Sequence, residues 1–141
     1  MKLDDILIES ANIEYTSLHD EDGEVDYEME ESAEALVDSS GLRMLRDDEI
    51  TDIAVHGGKV VGVLFSAVHG NEMNTSIAVD PNYRGSKIAT TLFDSMYIDE
   101  HIDTHVAELV PPYTMEKFLI SRGYAFTNSE GGFRVYKKDM V

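Results

Sequence analysis

Apolar positions change period several times along the chain, and each change marks an element. Near the start Leu3, Ile6, Leu7 and Ala11 fall at helical spacing, although Ile6-Leu7-Ile8 also fits a short strand. Met29, Ala33, Leu36 and Val37 form a cleaner helical stripe that stops at Ser39-Ser40-Gly41. From residue 52 the pattern is strand-like: 52–56 and 60–68 are rich in β-branched residues and flank Gly57-Gly58-Lys59, which predicts a tight hairpin. A third strand over 74–79 follows the turn signal Gly70-Asn71 and breaks at Pro81. A helix over 86–98 then places Ile88, Leu92, Phe93 and Met96 on one face. A strand over 105–110, a helix ending at Gly123-Tyr124 and a last strand over 132–138 complete the order. Neither a repeat nor a low-complexity linker interrupts it, and 141 residues suffice for one core, so a single domain over 1–141 is expected.

The junction from Ile77 to Ala89 carries the chemistry. A strand ends at Val79-Asp80-Pro81 and a helix restarts after Arg84-Gly85-Ser86-Lys87. The first turn of a helix has amides without intrahelical partners and a partial positive charge, so it can hold a phosphate. Arg84 and Lys87 add formal charge at the same spot. The ordinary alternative is a plain strand-to-helix connection with two exposed cations.

This segment resembles the pyrophosphate-binding loop of the N-acetyltransferase superfamily abbreviated GNAT, in which Arg or Gln, two residues, Gly, one residue and Gly or Ala follow a strand ending in Val-x-Pro. Arg84, Ala89 and Val79-x-Pro81 fit, while Lys87 stands where the family prefers glycine. Phe118 to Tyr124 is similar to the family's closing helix with its Gly-aromatic exit, and the element order from about residue 50 to 138 is the family's order. The resemblance implies an α/β (α+β) fold, a mixed and mostly antiparallel central sheet flanked by helices, with a V-shaped split at the cofactor site. It implies that 1–47 is an acidic helical region on the acceptor side, with two helices, and that 48–141 is the sheet and cofactor core. Family members open with a strand, which here is absent, very short or replaced by the Ile6 region.

The implied activity is transfer of acetyl from acetyl-coenzyme A to an amine. Backbone at Ala78 and Val79 would polarise the thioester carbonyl, and Arg84, Gly85, Ser86, Lys87, Ile88 and Ala89 would hold the pyrophosphate. Where many members carry a tyrosine as proton donor to the thiolate, this chain has Leu119; Tyr113 or Tyr124 is the expected substitute. Glu72 and Glu108 are the expected bases. Glu108 stands out because a lone carboxylate in an apolar strand pairs, lines a cleft, or faces outward from an edge. The alternative function is a GNAT-like domain without turnover that binds basic proteins through its acidic surface.

Charge narrows the partners. A net charge of −17 and a pI near 4.4 argue against nucleic acid and anionic membranes, and favour a cationic small molecule or a basic protein as the amine acceptor. Solubility or a salt-rich environment accounts for such charge equally well. About half of the acidic residues precede Leu42, against one basic residue, Lys2. The acidic run from Asp20 to Asp26 fails as an EF-hand, because Leu18 and Met29 would take the first and twelfth ligand positions; a solvated turn between two helices is expected. His101 and His105 are expected as exposed loop histidines, without metal. There is no cysteine, and neither a signal peptide nor a bilayer-spanning stretch is recognisable, so a cytoplasmic protein is expected, as is pairing into a homodimer.

Overall fold

The computed structural model describes residues 12–19, 22–42, 44–85, 87–111 and 113–140. The expected helix over 3–11 lies outside them. Among the described residues seven strands form one sheet: β1 (Glu14–Ser17), β2 (Glu49–His56), β3 (Lys59–His69), β4 (Glu72–Val79), β5 (Thr104–Leu109), β6 (Ala125–Glu130) and β7 (Phe133–Asp139). Their spatial order is β1-β2-β3-β4-β5-β7-β6. Only β4 and β5 are parallel neighbours; every other pair is antiparallel. Among the described residues three helices cover the sheet: α1 (Tyr27–Ser39), α2 (Ile88–Ser95) and α3 (Glu116–Ser121). This is the mixed, mostly antiparallel sheet expected.

The first strand exists, but not at Ile6. It is the four-residue segment Glu14–Ser17, paired antiparallel with Val55 to Asp52 and exposed throughout. In chain order the acidic run from Asp20 to Asp26 lies between a strand and a helix, not between two helices, and Asp26 caps α1, its carboxylate accepting from the amides of Glu28 and Met29. α2 is shorter than its apolar stripe suggested, because Met96 takes an extended backbone and ends it.

Side chains alternate across the sheet, so each face has its own core. On one face Ala33, Leu36 and Val37 of α1 pack on Ile53, Val63, Phe65 and Ala78. On the other, Ile88 and Leu92 of α2 pack on Ala54, Val61 and Leu64, and α3 adds Leu119 against Ala107, Tyr124 and Tyr136. Gly62 of β3 sets how closely α2 can approach: a Cβ there would lie 2.5 Å from Ile88 Cγ2 and 3.1 Å from Leu92 Cδ1.

Candidate functional site

The pairing of β4 with β5 stops at Ser76 and Glu108, yet β4 continues to Val79. Beyond Ser76 its partners are on β3 alone: Leu64, Val63 and Gly62. The sheet opens there into a V. The ladder also fixes the direction of the amides. Asp80 N–H donates to Val61 O at 2.9 Å, toward β3, and backbone groups alternate sides along a strand. Ala78 therefore faces β3 as well, and Val79 turns its N–H into the gap.

A cavity of about 290 Å³ occupies the split. Ala78, Val79, Arg84, Gly85, Lys87, Ile88 and Ala89 line one end of it; Glu108, Leu109, Val110, Pro111, Thr114 and Met115 line the other, with Ser40 at the end of α1. Ser86 lies outside the described residues.

Local chemistry holds the loop in place. Asp80 accepts from the Asn82 amide at 2.9 Å and from Lys59 Nζ at 3.1 Å. Burial pushes its carboxyl up, but that amide and the ammonium outweigh burial and hold it below the ordinary value. The Tyr83 hydroxyl and His56 Nδ1, 2.6 Å apart, tie the turn to β2. Gly85 has φ +87° and Lys87 φ +65°, the left-handed region where glycine costs least. That explains the family's glycine at the Lys87 position. Lys87 makes no side-chain cap hydrogen bond, so no side chain at that place competes with an anion for the first-turn amides of α2.

The two walls of the split differ. Ile77 and Thr75 point to the face covered by α2 and α3, whereas Ala78 and, by register with Ser76, Glu108 point to the face covered by α1. Burial, and then the negative charges of Asp48 and Glu130, push the Glu108 carboxyl above its ordinary value. A smaller pocket of about 10 Å³ adjoins the cavity, lined by Thr75, Ile77, Phe93, Leu119 and others.

Three expected catalytic residues lie elsewhere. Glu72 begins β4, seven positions from Val79, so at about 3.3 Å per residue it is roughly 23 Å away. Tyr113 precedes α3 with φ +57°, and its hydroxyl donates to Gly132 O at 2.7 Å, toward the β6–β7 turn. Tyr124 is buried and hydrogen-bonded to His105 Nδ1. His105 is itself no loop histidine: it lies in β5, fully buried, and its Nε2 is 2.8 Å from Thr75 Oγ1. His101 is exposed and pairs with Asp99 at 2.8 Å. Among the described residues no cluster of His, Asp or Glu is arranged to hold a metal ion, and no helix is long and apolar enough to cross a membrane.

No family profile matches the sequence, and no curated protein is similar to it at the sequence level. Solved structures are similar. An N-acetyltransferase from Staphylococcus aureus Mu50 aligns over 92% of this chain and 99% of its own, with a TM-score of 0.67 at 14% identity. A GNAT family acetyltransferase from Elizabethkingia anophelis with acetyl-CoA bound covers the same shares at a TM-score of 0.56 and 14% identity. The ribosomal-protein-S18-alanine N-acetyltransferase of Escherichia coli aligns over 91% of this chain and 94% of its own, with a TM-score of 0.56 at 19% identity. The chain has the GNAT fold.

Proposed function

We propose that the protein is an acetyl-CoA-dependent N-acetyltransferase acting on an amine. One observation carries the reading: one cavity is lined by the cationic turn before α2, by Val79, whose amide faces the split, and by Glu108, whose carboxyl is held above its ordinary value. The residues present fit the coenzyme. Arg84, Lys87 and the amides of Ile88 and Ala89 would hold its pyrophosphate. Bound acetyl-CoA would supply an activated acetyl thioester. The Val79 amide would stabilise the oxyanion that develops on the carbonyl under attack.

Glu108 would take the proton the amine must lose. It reaches the split from the α1 face, whereas the walls of α2 and α3 lie on the opposite face, so donor and acceptor would enter from different sides. A pKa raised by burial makes its carboxylate a stronger base than an ordinary one. Asp48, Glu130 and the net negative charge favour a cationic acceptor, a small amine or the amine of a basic protein.

Calorimetric titration with acetyl-CoA tests the coenzyme before any acceptor is chosen. Binding is expected, and no measurable affinity would overturn the proposal. Gly85→Pro should abolish binding, because proline fixes φ near −65° where this turn has +87°.

A further inference from the structure

The side chain of Tyr113 is tied to one side of the split. Its hydroxyl donates to Gly132 O at 2.7 Å, in the turn between β6 and β7, and the Arg134 guanidinium of β7 lies 4.1 Å over its ring. Arg134 is held in turn, because its Nη1 donates to Glu116 Oε2 at 3.0 Å and the Tyr136 hydroxyl donates to the same carboxylate. In the sheet β7 flanks β5 on the side away from β4. Tyr113 therefore draws the chain that leaves β5 away from β4, where the two strands part.

The backbone at Tyr113 is held as firmly. Its φ is +57°, and among the described residues Lys87 is the one other residue with a Cβ in the left-handed region. Such a conformation is strained and persists where its contacts over-determine it. Tyr113 N–H donates to Val110 O at 2.9 Å, and Tyr113 O accepts from the Glu116 amide at 3.1 Å, so two successive turns follow β5. Val110, Pro111, Thr114 and Met115, on either side of Tyr113, line the cavity.

The open split has a competitor. Val79 N–H faces the gap, and the ladder that ends at Ser76 and Glu108 would, if it ran on in the same register, bring Val110 O to that amide. An unpaired backbone donor favours such a bond, so the strands close unless something opposes them. Pro112, which would donate back to β4 in that ladder, has no N–H, but this leaves Val110 O available. Tyr113 N–H takes that oxygen. We propose that Tyr113 is a positioning residue that keeps the split open: it holds Val110 O and the chain around it toward β7, and so leaves the Val79 amide free for the thioester carbonyl. That use of the amide rests on the N-acetyltransferase reading; the restraint on the split does not.

Amide hydrogen exchange, followed by NMR in the coenzyme-free protein, reads the split directly, and calorimetry with coenzyme A reads its use. The reference is the Asp80 amide, which is bonded to Val61 O of β3 whether the split is open or closed. Tyr113→Phe keeps the ring under Arg134 and loses the bond to Gly132 O, whereas Tyr113→Ala loses both ties. Exchange at Val79 relative to Asp80 should slow in Tyr113→Phe and slow further in Tyr113→Ala, as Val110 O reaches the freed amide. Coenzyme A affinity should fall in the same order, about threefold for the lost hydrogen bond and about tenfold or more for both ties. A merely structural role would instead speed exchange at both amides as stability falls. Exchange at Val79 that is unchanged or faster relative to Asp80 overturns the proposal, and Tyr113→Phe alone decides it if Tyr113→Ala does not fold. Slowed exchange at Val79 with no coenzyme A binding by wild type supports the restraint and overturns the acetyltransferase function.

Discussion

Two residues with proposed roles in the site carry a stability cost. Lys87 holds a left-handed backbone at a cost of about 1 kcal/mol or more for a residue with a Cβ. Lys87→Gly should therefore raise unfolding free energy by up to about 1 kcal/mol in denaturant, while weakening coenzyme A binding severalfold through the lost charge. Affinity equal to wild type would mean that amides alone hold the phosphates. Glu108 behaves similarly. Its folded pKa is raised, so the folded state binds its proton more tightly than the unfolded chain, and stability falls as pH rises from the ordinary carboxylate range through the folded value. Glu108→Gln should be more stable than wild type at neutral pH, should lose that advantage in acid, and should reduce transfer by a factor on the order of 10² to 10⁴. In wild type the rate should rise with pH through the raised value. Asp48→Asn, by removing a neighbouring negative charge, should move that limb to lower pH. A limb unmoved by this substitution would deny Glu108 the role of base.

Among the elements, what the sequence made legible was local. The hairpin of β2 and β3 announced itself through β-branched runs around Gly57-Gly58, and the loop proposed to hold phosphate stood out through a proline, a glycine and two cations within a few residues. Glu108 was visible as a charge within an apolar strand. β1 was not, because Glu14-Tyr15-Thr16-Ser17 is exposed at every position and so carries no alternation; only its pairing with β2 makes it a strand. Nor was the Thr75–His105–Tyr124 chain, whose members are 30 and 19 residues apart and meet only through the parallel crossover from β4 to β5. The expectation of exposed loop histidines held for His101 and failed for His105, since a strand begins at Thr104 and buries it. The close approach of α2 to β3 was equally hidden, and it makes a prediction. Gly62→Ala would push against Ile88, Leu92 and Ala54 in a packed core, so it should cost about 1–3 kcal/mol on unfolding. Because Ile88 opens α2, the same variant should weaken coenzyme A binding; an undisturbed affinity would mean the loop is held by its Lys59–Asp80 and His56–Tyr83 ties alone.

At the scale of the whole molecule, a charge of −17 acts in opposite directions on the two proposed substrates. A cationic amine is drawn in by the long-range field and then meets Glu108 with Asp48 and Glu130 close by. Coenzyme A, a polyanion, is repelled at distance and attracted only near Arg84, Lys87 and the start of α2. Salt screens the distant field first, since the Debye length falls to about 8–10 Å at physiological ionic strength. Raising salt from low values should therefore slow association of a cationic acceptor and speed that of coenzyme A, until screening reaches the Arg84 and Lys87 contacts themselves. Stopped-flow association rates for the coenzyme and for a polyamine, measured across the same salt series, should show slopes of opposite sign. Slopes of one sign would mean that the acidic surface does not reach the site, and that its charge serves the solubility of the protein.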